Sequence, residues 1–244
     1  MELQAKLCVL NQQLGADATR ILQGPTLAND TQIGTVLLAL GANAAGVWGA
    51  PAESMARACR ELEGAGLKIV RSSNLYLTEP VGGGRQPSYL NAVIAIEGGR
   101  PLTSLLRLVK QIEHRAGRRI GPTARPIDID LLSYGGRRLN WPALRRERGR
   151  LILPHPLLHR RTFVLVPLLE VAPHWRHPAL GHRPWTLLAK LDPKARSGVR
   201  QALDFSAGAC DKAPALKLRF GPATPGPIAR AALNITRGIV AWRA

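Results

Sequence analysis

Apolar and acidic residues alternate in one short stretch of the chain, 125–132 (RPIDIDLL). This period of two is typical of a β-strand, in which successive side chains point to opposite faces. The pattern therefore places Asp128 and Asp130 side by side on one face and turns the intervening apolar side chains towards a core. From this stretch alone, two interpretations stay open: an edge strand with a solvated acidic face, or a pair of ligands for a divalent cation such as Mg²⁺.

The remaining apolar pattern predicts strands and helices over the middle of the chain. Short apolar or alternating runs predict strands at 36–40, 68–77, 89–97 and 151–153. Apolar residues spaced three or four apart, with Pro and Gly near the ends, predict helices at about 51–62, 101–116 and 157–171. This mixture of strands and helices predicts an α+β fold.

The pattern weakens at both ends, which divides the chain into three parts. Residues 1–33 show some helical period, so we expect an N-terminal extension that is weakly ordered or forms a short helix. Gly, Pro and Ala accumulate towards the other end, so we expect a basic C-terminal appendage at 191–244. The structured domain is expected at 34–190.

The charge is the unusual feature of the composition, with 34 Lys and Arg against 16 Asp and Glu, a net charge of +18. Such a field attracts polyanions such as nucleic acid, acidic lipid headgroups or a nucleotide triphosphate. Aromatic residues make up only 5% of the chain, and they form no stacking platform among the basic residues. This disfavours a dedicated nucleic-acid-binding protein, so we expect at most nonspecific attraction through charge.

The three cysteines lie far apart and show no paired spacing, which argues against a disulfide framework and a zinc site. The N-terminus has no basic-then-apolar signal pattern, and no apolar run is long enough to span a bilayer. We therefore expect a cytoplasmic protein that does not enter membranes. The sequence does not indicate the oligomeric state.

Several polar side chains stand out beside the acidic strand. Tyr89 and Asn91 lie on the face of their strand opposite to its apolar side chains. The Asn91 amide either bonds a neighbouring loop or binds the edge of a heterocycle. Arg118 and Arg125 precede the acidic strand and suit polyphosphate oxygens, although basic clusters are usually solvated. His155 lies between two prolines, which makes it a stronger candidate for a functional imidazole than an ordinary lone histidine.

Taken in order, these stretches resemble the 6-hydroxymethyl-7,8-dihydropterin pyrophosphokinase family of folate biosynthesis. The resemblance covers residues 36–178 and is carried by 40–43 (LGAN), 73–80 (SNLYLTEP), 86–91 (QPSYLN), 112–113 (IE), 117–118 (GR), 125–132 (RPIDIDLL), 153–156 (LPHP) and 161–165 (RTFVL). It implies a ferredoxin-like α+β sandwich, with a largely antiparallel sheet flanked by helices. It also implies a 2-amino-4-hydroxy-6-hydroxymethyldihydropteridine diphosphokinase, which transfers pyrophosphate from ATP to the pterin hydroxymethyl group and releases AMP.

The resemblance further implies roles for individual residues. Asp128 and Asp130 would hold two Mg²⁺ ions that bridge the phosphates of the co-substrate ATP, and Arg118 and Arg125 would complete the catalytic set. The implied pterin-binding positions are Asn43, Thr78, Pro80, Val81, Tyr89, Asn91 and Phe163. The implied positions around ATP are Glu113, Arg118, Arg125, Arg150, Ile152, His155 and Arg161.

Three features depart from the family pattern. Ala42 replaces a common Ser, Lys110 stands where a Gln is often found near the adenine, and the segment 119–124 is short and lacks the Trp of a longer loop that closes over the active site in many members. Two other functions therefore stay open: a pterin- or nucleotide-binding relative weakened by its short loop, and a basic nucleic-acid-associated protein. The retained acidic pair opposes both, since neither needs it.

Overall fold

The computed structural model describes residues 35–80, 86–97, 99–118, 125–141, 151–192 and 199–203. Six strands and four α-helices lie within these ranges. The strands are β1 (Val36–Ala42), β2 (Lys68–Ser72), β3 (Leu75–Thr78), β4 (Tyr89–Glu97), β5 (Asp128–Tyr134) and β6 (Val199–Leu203). The helices are α1 (Pro51–Gly64), α2 (Leu102–Arg115), α3 (Thr162–Val171) and α4 (Pro184–Ala189), and a 3-10 turn, Leu158–Arg160, precedes α3.

The strands form one sheet in which every pairing is antiparallel. The strand order is β5-β1-β4-β3-β6, and β2 pairs with the other half of β4. Helices cover both faces of the sheet. The structure therefore confirms the predicted α+β class with an antiparallel sheet flanked by helices.

Two apolar cores lie on the two faces of the sheet because side chains alternate along each strand. Leu38, Leu40 and Ile94 face α1 and α2 together with Ile129. Leu37, Val93 and Leu132 face α3 and α4 on the other side. The central strands β1 and β4 thus contribute to both cores, which explains why they are almost continuously apolar.

The helix boundaries follow the Pro and Gly signals in the sequence. Pro51 occupies the first position of α1, where its missing N–H costs nothing. Gly66 and Gly117 follow α1 and α2 with φ of 83° and 88°, a left-handed conformation that glycine adopts without strain. The predicted helix 157–171 is shorter than expected, because Arg161 is extended and separates the 3-10 turn from α3.

The predicted strand 68–77 is divided into β2 and β3 by Ser73 and Asn74. The hydroxyl of Ser73 accepts the N–H of Val93 at 2.9 Å, and the N–H of Asn74 donates to the Glu170 carboxylate of α3 at 2.7 Å. Side chains thus replace backbone hydrogen bonds that a continuous β-strand would have made at these two residues. The predicted strand 151–153 is likewise reduced to a single bridge between Leu139 and Leu153.

The sheet includes a strand from the segment for which we expected an appendage. β6 pairs with β3, with Val199 opposite Thr78, and the Val199 side chain is buried in the second core. The sheet therefore includes residues beyond position 190, the predicted end of the structured domain. The predicted extension 1–33 and the remainder of the predicted appendage lie outside the described residues.

Two further findings concern expectations about membranes and cysteines. In the described ranges, no helix has both the length and the apolar character of a bilayer span. Cys59 is buried in α1. It packs in the first core between the helix and the sheet, where a thiol behaves as a small apolar side chain.

A cluster of aromatic rings lies near the second core, which contains α3 and α4. His177 is fully buried and contacts Trp141, Trp175 and His159 edge to face, with ring centroids 4.9–5.9 Å apart. Its Nδ1 accepts the N–H groups of two following residues. Burial and the neighbouring His159 lower the pKa of His177 to about 4, so the folded protein holds this ring neutral.

The pairing of β6 predicts the stability of a Val199→Asp variant. A carboxylate placed in the second core has no partner there, so we expect the free energy of unfolding to fall by about 2–4 kcal/mol. Urea denaturation measures the change. Val47→Asp is the matched control, because Val47 is 75% exposed. Equal stability of the two variants would show that β6 contributes nothing to the sheet.

The buried His177 predicts a pH dependence of stability. Its pKa is lower in the folded chain than the ordinary 6.5, so below pH 6.5 the unfolded chain binds a proton that the folded chain does not. Stability should therefore fall by about 3 kcal/mol as the pH drops from 6.5 to 4. His177→Gln should remove this part of the slope, whereas His114→Gln, on the exposed side of α2, should retain it. Parallel wild-type and His177→Gln profiles would contradict the prediction.

Candidate active site

The acidic strand has the orientation that its alternation predicts. Ile127, Ile129 and Leu131 are buried in the first core, and Asp128 and Asp130 lie on the opposite face. Their side chains keep 17% and 33% of their surface exposed. Both carboxylates therefore border a cleft and remain available to a ligand.

The register of the sheet separates Asp128 from Asn91 by a single glycine. Gly41 of β1 lies opposite Asp128 of β5 on one side and opposite Asn91 of β4 on the other. Strands lie about 4.8 Å apart, so Asp128 and Asn91 stand about 10 Å apart along one row of the sheet. Because Gly41 has no side chain, the space between the acidic end and the amide end of the cleft stays open.

Asp128 is held by two arginines. Nη1 of Arg118 donates to its Oδ1 at 2.5 Å, and Nη1 of Arg125 donates to its Oδ2. Burial by itself raises the pKa of Asp128, but the two guanidinium charges outweigh burial and hold that pKa below its usual value. The carboxylate is therefore ionised, and the two arginines are held at the floor of the cleft.

Glu113 lies behind this ion pair and is almost completely buried. Its Oε1 accepts the N–H of Ile129 at 2.9 Å and lies 2.5 Å from Nη1 of Arg118. Its Oε2 accepts Lys110 Nζ at 2.7 Å. Burial raises the pKa of Glu113, and the bonds from Ile129 and Lys110 oppose that rise. Glu113 thus fixes α2 and Arg118 against β5 instead of lining the cleft.

Asp130 faces a second, looser set of partners. Nη1 of Arg161 lies 3.4 Å from its Oδ2, and Nε2 of His155 lies 3.8 Å away. The backbone N–H of His155 donates to Leu132 at 2.9 Å, and its Nδ1 accepts the N–H of Leu157. The imidazole is therefore held beside the acidic strand, as the two flanking prolines predict.

The amide of Asn91 has a defined orientation at the other end of the cleft. Its Nδ2 donates to the Thr78 hydroxyl at 2.8 Å, and both side chains are buried. The remaining amide oxygen lies on the side of Gly41, where a Cβ would stand 3.4 Å from it. An acceptor in this position suits a ligand that presents N–H groups along one edge.

Aromatic side chains border the same end of the cleft. Tyr89, on the row next to Asn91, donates its hydroxyl to Gln86 at 3.5 Å. Phe163 lies at the start of α3, and the guanidinium of Arg161 stands 5.5 Å from its ring centroid. Flat apolar surfaces beside a fixed amide suit a planar heterocycle.

The cleft has a volume of about 780 Å³ and brings together most of the side chains that the sequence singled out. Those that line it are Thr78, Pro80, Tyr89, Asn91, Arg118, Arg125, Asp128, Asp130, Ile152, His155, Arg161 and Phe163. Val81, Arg150 and the short segment 119–124 lie outside the described residues. The structure therefore brings twelve of the predicted side chains to one cleft, with the acidic pair at one end and the amide at the other.

Asn43 is placed behind Arg125 and not in the cleft. Its Oδ1 accepts the N–H of Arg125 at 2.8 Å, and its own N–H donates to the Arg125 carbonyl at 3.0 Å. The side chain is buried. In this structure Asn43 holds the backbone at Arg125, and its predicted contact with a pterin stays a prediction.

Other residues line the cleft that the predicted set does not contain. Gly41, Lys110, Glu79 and Gln86 are the informative ones. Gly41, Glu79 and Gln86 lie inside the quoted motifs, but only the strand register shows what Gly41 does. Of the described residues, four cationic side chains and three carboxylates line the cleft, namely Lys110, Arg118, Arg125 and Arg161 against Glu79, Asp128 and Asp130.

Comparison with known proteins finds one family for this chain. The model of 7,8-dihydro-6-hydroxymethylpterin-pyrophosphokinase (HPPK) matches residues 37–173. A 2-amino-4-hydroxy-6-hydroxymethyldihydropteridine pyrophosphokinase of Synechocystis is 34% identical over 145 residues, which are 58% of this chain and 69% of that protein. A protein of the same name from Methylorubrum extorquens is 39% identical, over 56% of this chain and 80% of its own length.

Longer relatives contain a similar region. A folate synthesis bifunctional protein of Arabidopsis thaliana is 36% identical over 60% of this chain but only 28% of its own length. Among solved structures, a Plasmodium falciparum HPPK-DHPS triple mutant with pteroate has a TM-score of 0.51 at 15% identity, over 72% of this chain and 48% of that one. At this identity the structural likeness supports the fold alone.

Proposed function

The chain belongs to the 7,8-dihydro-6-hydroxymethylpterin pyrophosphokinase family, and we propose that it transfers pyrophosphate from ATP to the hydroxymethyl group of 6-hydroxymethyl-7,8-dihydropterin, releasing AMP, in folate biosynthesis. One observation carries the proposal: a single cleft holds an acidic pair with arginines at one end and a fixed amide with aromatic rings at the other. ATP is the co-substrate at the first end. The pterin occupies the second end.

The second end of the cleft binds the pterin through flat aromatic surfaces and through the side-chain amide of Asn91. The fused ring lies between Tyr89 and Phe163, and the free oxygen of Asn91 accepts from its N–H edge. The Nδ2 group of that amide donates to the Thr78 hydroxyl and to the backbone carbonyl of Tyr89 at 3.4 Å. Because a carbonyl only accepts, exchanging the amide oxygen and nitrogen would lose the bond to Tyr89. The site therefore favours a ring edge with donors over one with acceptors.

The acidic pair has the donor set that Mg²⁺ requires. Asp128 and Asp130 present hard carboxylate oxygens side by side on an open face, and Mg²⁺ takes one or two carboxylates together with water and phosphate oxygens. No group of three or more His, Cys, Asp or Glu side chains in the described ranges forms a closed metal cage. We therefore propose that these two aspartates hold two Mg²⁺ ions in company with ATP.

The charges in the cleft support this pairing with ATP. Among the described residues, three carboxylates compensate much of the charge of the cleft's four cationic side chains. When bound, Mg²⁺ would add positive charge there and polarise the phosphoryl oxygens. The arginines then add directed N–H bonds, which a point charge does not give.

The proposed reaction is a displacement at the β-phosphorus of ATP. The pterin hydroxymethyl oxygen forms a bond to this phosphorus and releases its proton to water, while the bond from phosphorus to the oxygen of the leaving AMP breaks. Arg118 and Arg125 donate to the oxygens on which negative charge grows, with Arg161 beside Asp130. Holding two bound substrates in one cleft contributes a further large part of the rate.

Among the described residues, the cleft supplies no strong general base to the hydroxymethyl group. Asp128 is ionised but bonded to two arginines, and the ring of His155 is buried beside Asp130. We therefore propose that positioning and electrostatic stabilisation dominate the catalysis. A cytoplasmic location is also proposed, on the basis of the unpaired cysteine spacing.

AMP release is the test of the proposed activity. With ATP, Mg²⁺ and 6-hydroxymethyl-7,8-dihydropterin, the wild-type protein should release AMP, and Asp128→Asn or Asp130→Asn should lower the rate by roughly a thousandfold or more. Glu63→Gln, an exposed carboxylate on α1, is the matched control. Substrate binding without AMP release would indicate an inactive relative, and salt-sensitive RNA binding without ATP or pterin binding would indicate a nucleic-acid-associated protein.

The open space at Gly41 predicts a second variant. A Gly41→Val side chain would stand between Asp128 and Asn91 and within contact distance of the Asn91 amide, so the two substrates could not meet in the productive geometry. We expect the AMP-release rate to fall roughly a hundredfold. Gly99→Val is the control, because a Cβ there meets no atom within 4 Å. An active, folded Gly41→Val protein would contradict this view of the cleft.

A further inference from the structure

Lys110 is a cation of the cleft that the proposed reaction does not use. It lies on α2, one turn before Glu113, and its side chain is 64% exposed. Nζ lies 2.7 Å from Oε2 of Glu113, and the residue borders the cleft that holds the acidic pair. Lys110 therefore lies at the surface of the cleft and also contacts a buried carboxylate.

That carboxylate needs cations near it. The Glu113 side chain is only 3% exposed, and a charge buried so deeply is strongly destabilising when it loses its partners. Within the described residues, Glu113 contacts the N–H of Ile129, Nη1 of Arg118 and Nζ of Lys110. Two positive charges thus share one negative charge.

Arg118 is itself divided between two carboxylates. Its Nη1 lies 2.5 Å from Oε1 of Glu113 and 2.5 Å from Oδ1 of Asp128. A guanidinium that turns towards a phosphate has to weaken at least one of these contacts. If Arg118 were the sole cation beside Glu113, this turn would leave the buried Glu113 carboxylate without a counter-charge. The free-energy cost of that unpaired charge would then be subtracted from the free energy of ATP binding.

We propose that Lys110 is a positioning residue that keeps Glu113 paired, so that Arg118 is free to bind the phosphates of ATP. The inference rests on the proposed function, because it takes a nucleotide triphosphate as the ligand of Arg118. Lys110 acts through Glu113 and need not touch the nucleotide. Its contribution is to the affinity for MgATP and not to the affinity for the pterin.

A direct contact between Lys110 and the nucleotide is the competing explanation, and a double-mutant cycle separates the two. Lys110→Met removes the charge but keeps an unbranched side chain. Glu113→Gln removes the buried charge that Lys110 compensates. If Lys110 acts through Glu113, its loss is harmless once Glu113 is neutral; if it contacts ATP, the loss costs the same in both backgrounds.

The experiment measures MgATP binding to the full chain by calorimetry without the pterin, so that no turnover is needed. We expect Lys110→Met to weaken binding roughly tenfold, Lys110→Arg to restore it, and Lys110→Met to have no further effect in the Glu113→Gln background. Arg107→Met, an exposed cation on the same helix, is the control for net charge and should bind as the wild type does. Binding of the pterin should be unchanged in Lys110→Met.

Two results would overturn the inference: wild-type MgATP affinity in Lys110→Met, or an equal loss in both backgrounds. Thermal unfolding of each variant shows whether it is folded, and the comparison of Lys110→Met with Lys110→Arg stands even if Glu113→Gln does not fold. AMP release by the wild type is measured separately. A protein that binds MgATP but releases no AMP would therefore count against the proposed function and not against the role of Lys110.

Discussion

The alternation of side chains along β5 is the constraint on which the rest of the structure depends. A single strand contributes Ile127, Ile129 and Leu131 to the core and presents Asp128 and Asp130 to a cleft. Such a strand is stable only if its apolar face is buried and its acidic face has positively charged partners. The apolar face packs against the helices α1 and α2. The acidic face is satisfied by arginines that stand in the cleft itself.

This arrangement joins stability to binding. The bonds from Arg118 and Arg125 that neutralise Asp128 are made by the same groups that are proposed to bind ATP. The free protein thus holds its phosphate-binding groups in place by intramolecular ion pairs. Binding exchanges one set of charged partners for another, and exchange costs less than ordering mobile side chains from solvent. The buried Glu113 and the backbone bonds of Asn43 keep the two arginines near their working positions.

Sequence patterns predicted the helices and strands whose formation depends on neighbouring residues in the chain. The strand at β5 and the helix α2 follow from side-chain periodicity, and Pro51 and Gly117 mark helix ends because of their own backbone preferences. The break at Asn74 was not predictable, because it depends on Glu170, which is 96 residues away in the sequence. β6 was missed for a similar reason: its short, partly polar sequence is a strand because β3 offers an edge.

The same distinction applies to the site. Motifs in the sequence indicated most of the side chains that meet in the cleft, since their types and order match a known pattern. The structure was needed to show that Asn43 and Glu113 stand behind the cleft, because orientation depends on packing across α2 and β5. Lys110 appeared in the sequence only as a departure from the pattern. Its contact with a buried carboxylate gives that departure a physical meaning.

The row Asp128–Gly41–Asn91 has one more consequence. The separation between its two ends is two strand spacings, and backbone hydrogen bonds set that spacing. The sheet therefore sets the distance between the acidic end and the amide end of the cleft. Any insertion within β1 would change that distance at once.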